Sequence, residues 1–187
     1  MVNVFSWPLR DVPRRLSDGG TSEDHVARGG GFAIDIPAAT WTPFYPALPP
    51  DTQGTVSWMF WDPECGNLVE YSFVFDATMW QVRYCHAEQV AVGVSDRLDR
   101  DTILGYVGST GKSTGPHIHL ALWRDGERVR PEDWLMSDCP DIEPELILIW
   151  DRLDRIQKAS RSQKVKAWAE QAKQAAVADI KRKVGLQ

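Results

Sequence analysis

No stretch of this chain is apolar for anything near the ~18 residues that a membrane-crossing helix needs. Its opening, MVNVFSWPLRDVPRRL, also lacks the apolar centre of a secretory signal peptide. The expectation is no membrane span and no export by an ordinary signal peptide. Cysteine is scarce: Cys65, Cys85 and Cys139 are odd in number and irregularly spaced, with no CxxC pair. That argues against a disulfide framework and against a thiolate zinc site, and leaves three reduced, mostly buried thiols. An excess of positive charge is missing too. Lys and Arg total 21 against 26 Asp and Glu, for a net −5. Apart from the basic end IKRKVGLQ the signs are interspersed, so nothing resembles a nucleic-acid-binding stripe. Histidine is also rare, at four in 187 residues: His25, His86, His117 and His119.

What is present is a hydrophobic fraction of 43% and nine tryptophans, the composition of a packed globular chain. The length suits one domain with an appendage. Residues 1–31, rich in Gly, Ser, Asp and Pro, read as a surface-hugging lead-in. Residues 32–138 are short alternating runs broken by turn residues, which predicts a mainly β, compact antiparallel domain. GFAIDIPA is its first strand; GTVSWMFW and NLVEYSFVF flank the turn DPECG. MWQVRYCHAEQV alternates, which puts Trp80, Val82, Tyr84 and His86 on one face and Arg83 and Cys85 on the other. HIHLALW and ERVRP flank RDGE, whose Asp-Gly pair is a strong two-residue hairpin signal. The tryptophans read mostly as core, with groove lining the alternative for Trp41, Trp58, Trp61 and Trp80. In residues 139–187 the period changes. Leu146, Ile149, Trp150, Leu153 and Ile156, then Val165, Trp168 and Ala172, recur at helical spacing. This C-terminal α-helical extension either folds back on the β domain or serves as an arm for assembly with protein partners.

The stretch GSTGKSTGPHIHLAL concentrates the chemistry. It is not a phosphate loop: GxxxxGK[ST] needs a glycine where Tyr106 stands, and a strand follows rather than a helix. In a strand, residues two apart share a side. His117 and His119 therefore project together, while Ile118, Leu120 and Leu122 face the core. Paired imidazoles on a sheet face gain little from packing, but they suit a metal ligand beside a proton-transfer group.

GYVGSTGKSTGPHIHLALWRDGERVRPEDWL resembles the signature end of the lysostaphin-type zinc metallopeptidases, which cut peptide bridges in bacterial peptidoglycan. FSWPL, FAIDIPA, CGNLVEYSF and YCHAEQV are similar to the family's upstream segments, in order, over about residues 5–136. The resemblance implies a lysostaphin-like β fold, one Zn2+ and peptidoglycan crosslinks as substrate. It implies Asp35 and His119 as metal ligands. His86 and His117 would flank the attacking water as general base and as stabiliser of the tetrahedral intermediate. Ser113, Thr114 and Gly115 would shape the turn at the groove floor.

One element departs from the family pattern. Where its first motif has a ligand histidine, four residues before the aspartate, this sequence has Gly31 in GGGFAID. Two readings follow. In one, His25 swings in over the flexible ARGGG stretch as third ligand. Five residues span up to ~17 Å, so the obstacle is the cost of ordering that loop, roughly 1 kcal/mol or more per residue. In the other the domain binds no metal and is a structural or adaptor protein. A wall-directed chain without a signal peptide would need another delivery route. A phage virion or tail is one; otherwise the chain would stay cytoplasmic until released.

Overall fold

The structure, a computed structural model, describes residues 5–10, 12, 14–17, 19–135, 162–168 and 171–172. Its centre is one antiparallel sheet. In chain order the strands are β1 (Ile34–Pro37), β2 (Pro43–Phe44), β3 (Gly54–Asp62), β4 (Gly66–Phe75), β5 (Thr78–Val90), β6 (Arg97–Leu98), β7 (Gly105–Val107), β8 (His117–Arg124) and β9 (Glu127–Val129). The sheet order is β1-β8-β5-β4-β3-β6, with β9 on β8 and with β7 pairing both β2 and β5. The expected mainly β, antiparallel class is what forms. Among the described residues one helix precedes it, α1 (Ser22–Ala27), and a 3-10 turn, Pro131–Asp133, closes it.

The alternation seen in the sequence sets the two faces. Ile34, Tyr84, Ile118, Leu120 and Leu122 are buried in one core with Val69, Val82 and Trp80. The Asp-Gly hairpin forms as expected: Asp125 and Gly126 have φ 48 and 83, the positive pair that matches strand twist. The lead-in does more than drape the surface. Phe5 is fully buried, its ring 4.8 Å from Trp80 and 5.4 Å from Phe73, and its N–H donates to the Trp134 carbonyl at 2.8 Å. Truncating such a residue costs about 3–5 kcal/mol. Trp80 is core, but Trp41, Trp58 and Trp61 are more than half exposed, against the expectation that the tryptophans are mostly internal.

Two further expectations fail. Cys65 and Cys85 are joined in a disulfide with Cα atoms 4.8 Å apart. Cys65 sits in the β3–β4 turn and Cys85 on β5, the strand beside β4, so adjacency in the sheet supplies what sequence spacing concealed. Alternation along β5 also breaks. Between Tyr84, opposite Val69, and Ala87, opposite Asn67, β5 carries one extra residue. This bulge gives His86 a φ of 68. Ala87 takes the core position, and His86 turns away from the face of Trp80, Val82 and Tyr84. Of the helical segment expected over 139–187, positions 163–168 and 171–172 are described and are helical; the rest, Cys139 included, lies outside the described residues.

Candidate metal centre

Antiparallel pairing assembles the site on the sheet face opposite the core. Asp35 on β1 lies directly across from His119 on β8, and His119 lies across from Cys85 on β5. Residues opposed in register share a face, so the carboxylate and the imidazole meet: Nδ1 of His119 is 2.9 Å from Oδ1 of Asp35. Nε2 of His117 is 3.6 Å from the same oxygen. The ring of His86 stands 4.7 Å from that of His117 and 5.9 Å from that of His119.

His25 joins them from outside the sheet. Its Nε2 is 3.2 Å from Oδ2 of Asp35, and its ring packs edge-on to His119 at 4.8 Å. It does not arrive on a floppy loop. It belongs to α1, whose capping box pairs the side chain of Thr21 with the Asp24 N–H and that of Asp24 with the Thr21 N–H. The sequence carries this signal in TSED at 21–24, a helix start within the segment expected to be a surface-hugging lead-in. Thus His25, Asp35 and His119 place three ligand atoms within 4.8 Å of one another. Nε2 of His25 is buried and has no well-aligned hydrogen-bond partner. Two imidazoles and a carboxylate around an orphaned nitrogen fit a divalent cation such as zinc, which takes three protein ligands and leaves one position open.

The ring nitrogens have defined roles. Nδ1 of His86 is 2.8 Å from the Thr110 carbonyl, and Nδ1 of His117 is 2.8 Å from that of Gly115. A carbonyl only accepts, so both Nδ1 atoms carry a proton, and in the neutral ring the lone pair is left on Nε2. Thr110 was not singled out from sequence, because its contribution is a backbone oxygen. Ser113 is 3.3 Å from Nδ1 of His117, and with Thr114 it lines a cavity of about 460 Å³ shared with His25, Asp35, His86 and His119. Burial pushes His25 below its ordinary pKa, with the Asp35 carboxylate opposing. Burial likewise lowers His86, against its hydrogen bond to Thr110. For Asp35, burial alone would raise the carboxyl. The hydrogen bond and charge of His119, with the charges of His25 and His117, outweigh that and hold it below its usual value.

The model of peptidase family M23 matches residues 32–131. The chain belongs to this family. Asp35, His86, His117 and His119 lie inside the matched region, whereas His25 lies ahead of it. The M23 chain is 30% identical over 78 residues to peptidoglycan DD-endopeptidase ShyB of Vibrio cholerae, a stretch covering 42% of this chain and 17% of that protein. It is 30% identical over 57 residues to an uncharacterized metalloprotease of Buchnera aphidicola, covering 30% of this chain and 15% of that one. The match therefore spans less than a fifth of either relative's length. In fold the M23 chain resembles a zinc-containing peptidase from Vibrio cholerae, with TM-score 0.56 and 20% identity over 74% of this chain and 41% of the other. It also resembles Helicobacter pylori Csd3, with TM-score 0.55 and 18% identity over 84% of this chain and 40% of the other. No helix among the described residues is long and apolar enough to cross a membrane.

Proposed function

We propose that this chain is a zinc-dependent endopeptidase acting on the peptide crosslinks of bacterial peptidoglycan, with His25, Asp35 and His119 as ligands and His86 and His117 as proton-transfer groups. The observation that carries the reading is the convergence of three ligand atoms within 4.8 Å beside two imidazoles whose Nδ1 atoms face backbone carbonyls. Family membership and the peptidoglycan endopeptidase relative support the substrate class. Zinc, when bound, would polarise the scissile carbonyl and make a water acidic enough to attack near neutral pH. The chain's own groups then move protons. A free Nε2 of His86 or His117 takes a proton from the attacking water as its oxygen joins the carbonyl carbon. The imidazolium so formed stabilises the oxyanion and returns a proton to the amine as the C–N bond breaks. Nδ1–H bonds to Thr110 and Gly115 hold both rings in the tautomer this requires. The geometry favours this over the metal-free adaptor reading, because His25 supplies the third donor from a folded helix.

Metal analysis of purified protein, together with the loss of turbidity and the new free amino groups of purified peptidoglycan, tests the proposal. The expected result is one zinc per chain, clearing of the peptidoglycan suspension and a rise in free amino groups. Zinc should be lost in Asp35→Ala and His119→Ala and weakened in His25→Ala. In His86→Ala and His117→Ala zinc should be kept, with turnover falling at least 100-fold. A chain with neither zinc nor hydrolysis would overturn the proposal and support the adaptor reading instead.

A further inference from the structure

α1 has six residues, too few to persist on local interactions alone, yet it carries a side chain that must sit still to serve as a ligand. Its docking is visible one turn before His25. Ser22 is fully buried, and Glu132 grips it twice. Oε1 accepts the Ser22 backbone N–H at 2.7 Å, one of the helix-start donors with no partner inside the helix. Oε2 accepts the Ser22 hydroxyl at 2.6 Å. Nearby, Arg130 Nη1 is 3.1 Å from Glu23 Oε1, an exposed second strap.

Glu132 is itself immobilised. It belongs to the 3-10 turn Pro131–Asp133, which starts at buried Pro131 and leads into Trp134 and Leu135, both in the core. Trp134 in turn holds Phe5 through its carbonyl. Ser22 and His25 are three residues apart and so lie on one side of the helix. The grip that seats Ser22 therefore sets the direction in which His25 leaves α1 toward Asp35.

We infer that Glu132 is a positioning residue for the metal centre: its carboxylate, through Ser22, holds α1 so that Nε2 of His25 is presented to the cation. This rests on the reading of His25 as a ligand. A carboxylate 110 positions away in sequence from Ser22 would thus fix the ligand's approach, as partners beyond a metal's own ligands do in other sites, where their loss costs 10–100-fold in affinity.

Zinc titration of the full chain, with Zn2+ alone as probe, tests this as a double-mutant cycle between Glu132→Ala and His25→Ala. The expected result is zinc binding weakened about 10- to 100-fold in Glu132→Ala, with no further loss when it is added to His25→Ala. Amide hydrogen exchange of the metal-free protein should speed up at residues 22–28 and not in β5 or β8. Ser22→Ala, which keeps the backbone bond to Oε1, should show a smaller loss in the same direction and decides the matter if Glu132→Ala does not fold. Wild-type affinity in Glu132→Ala or Ser22→Ala, alongside weakened binding in His25→Ala, overturns the inference and leaves the ligand assignment standing. Equal losses from Glu132→Ala with and without His25 also overturn it, since they would report general loosening. Unchanged binding in His25→Ala overturns the ligand assignment itself, and this inference with it.

Discussion

His25 and Asp35 face each other with Nε2 3.2 Å from Oδ2, although one lies on a helix and the other on a strand. The segment between and before them is folded to make this so. Ser17 N–H donates to the Asp35 carbonyl and the Asp35 N–H donates to the Gly20 carbonyl, both at 2.8 Å. The lead-in thereby covers the free edge of β1 at the aspartate and starts α1 immediately afterwards.

Gly20 is the tight point of that arrangement. A methyl group there would sit 2.9 Å from Asp35 Cβ and 3.1 Å from its carbonyl oxygen. Gly20→Ala should destabilise the chain by about 1–3 kcal/mol and weaken zinc binding as Asp35 is displaced from His25. Thermal melts and zinc titration read the two effects. A variant with unchanged melting and unchanged affinity would show that the crowding relaxes elsewhere.

At Gly31, a side chain does not find free space. An added Cβ would lie 2.6 Å from Nη1 and 2.7 Å from Cδ of Arg128. That side chain is held by its Nε–H bond to the Phe32 carbonyl at 2.8 Å and by stacking 5.2 Å from the Trp123 ring. Gly31→His should therefore cost about 1–3 kcal/mol and should not restore zinc to His25→Ala. Adding Arg128→Ala should recover part of the lost stability. Urea unfolding of the single and double variants checks this.

The Cys65–Cys85 disulfide closes a loop of sequence separation 20. Replacing both cysteines by serine should cost about 3 kcal/mol. Because the Cys65 carbonyl also accepts the His86 N–H at 2.7 Å, the proposed peptidoglycan hydrolysis, read as loss of turbidity, should fall with it. Unfolding with and without a thiol reductant, against the double variant, should give matching losses. Equal stability in all forms would show that the bond contributes nothing.

Acid should loosen the metal-free chain in two windows. His25 and His86 have lowered pKa values in the fold. As pH falls below about 6.5, the unfolded chain takes up protons that the folded chain does not, and stability declines. The depressed Asp35 carboxyl contributes stability that is present above its ordinary value of 3.8 and lost as pH falls through the lower folded value. Urea midpoints should fall between about pH 7 and about pH 5, with a shallower slope in His86→Ala. An identical slope in that variant would remove His86 from the account.

Much of this protein was legible in order of residues alone. Period-two alternation in HIHLAL placed His117 and His119 on one face and Ile118 and Leu120 in the core, because a strand's side chains alternate by covalent geometry. Asp-Gly marked the β8–β9 hairpin for an equally local reason, the positive φ its turn demands. TSED also holds a local helix signal, the capping box of Thr21 and Asp24. Other features depended on which strands and turns became neighbours. The bulge that swings His86 toward His117, the pairing of Cys65 with Cys85 and the grip of Glu132 on Ser22 join positions that no short window contains. Backbone geometry fixes which way a side chain points within its own element. Packing of the sheet, the helix and the closing turn decides what it meets there, and here that decision brought a third nitrogen to Asp35.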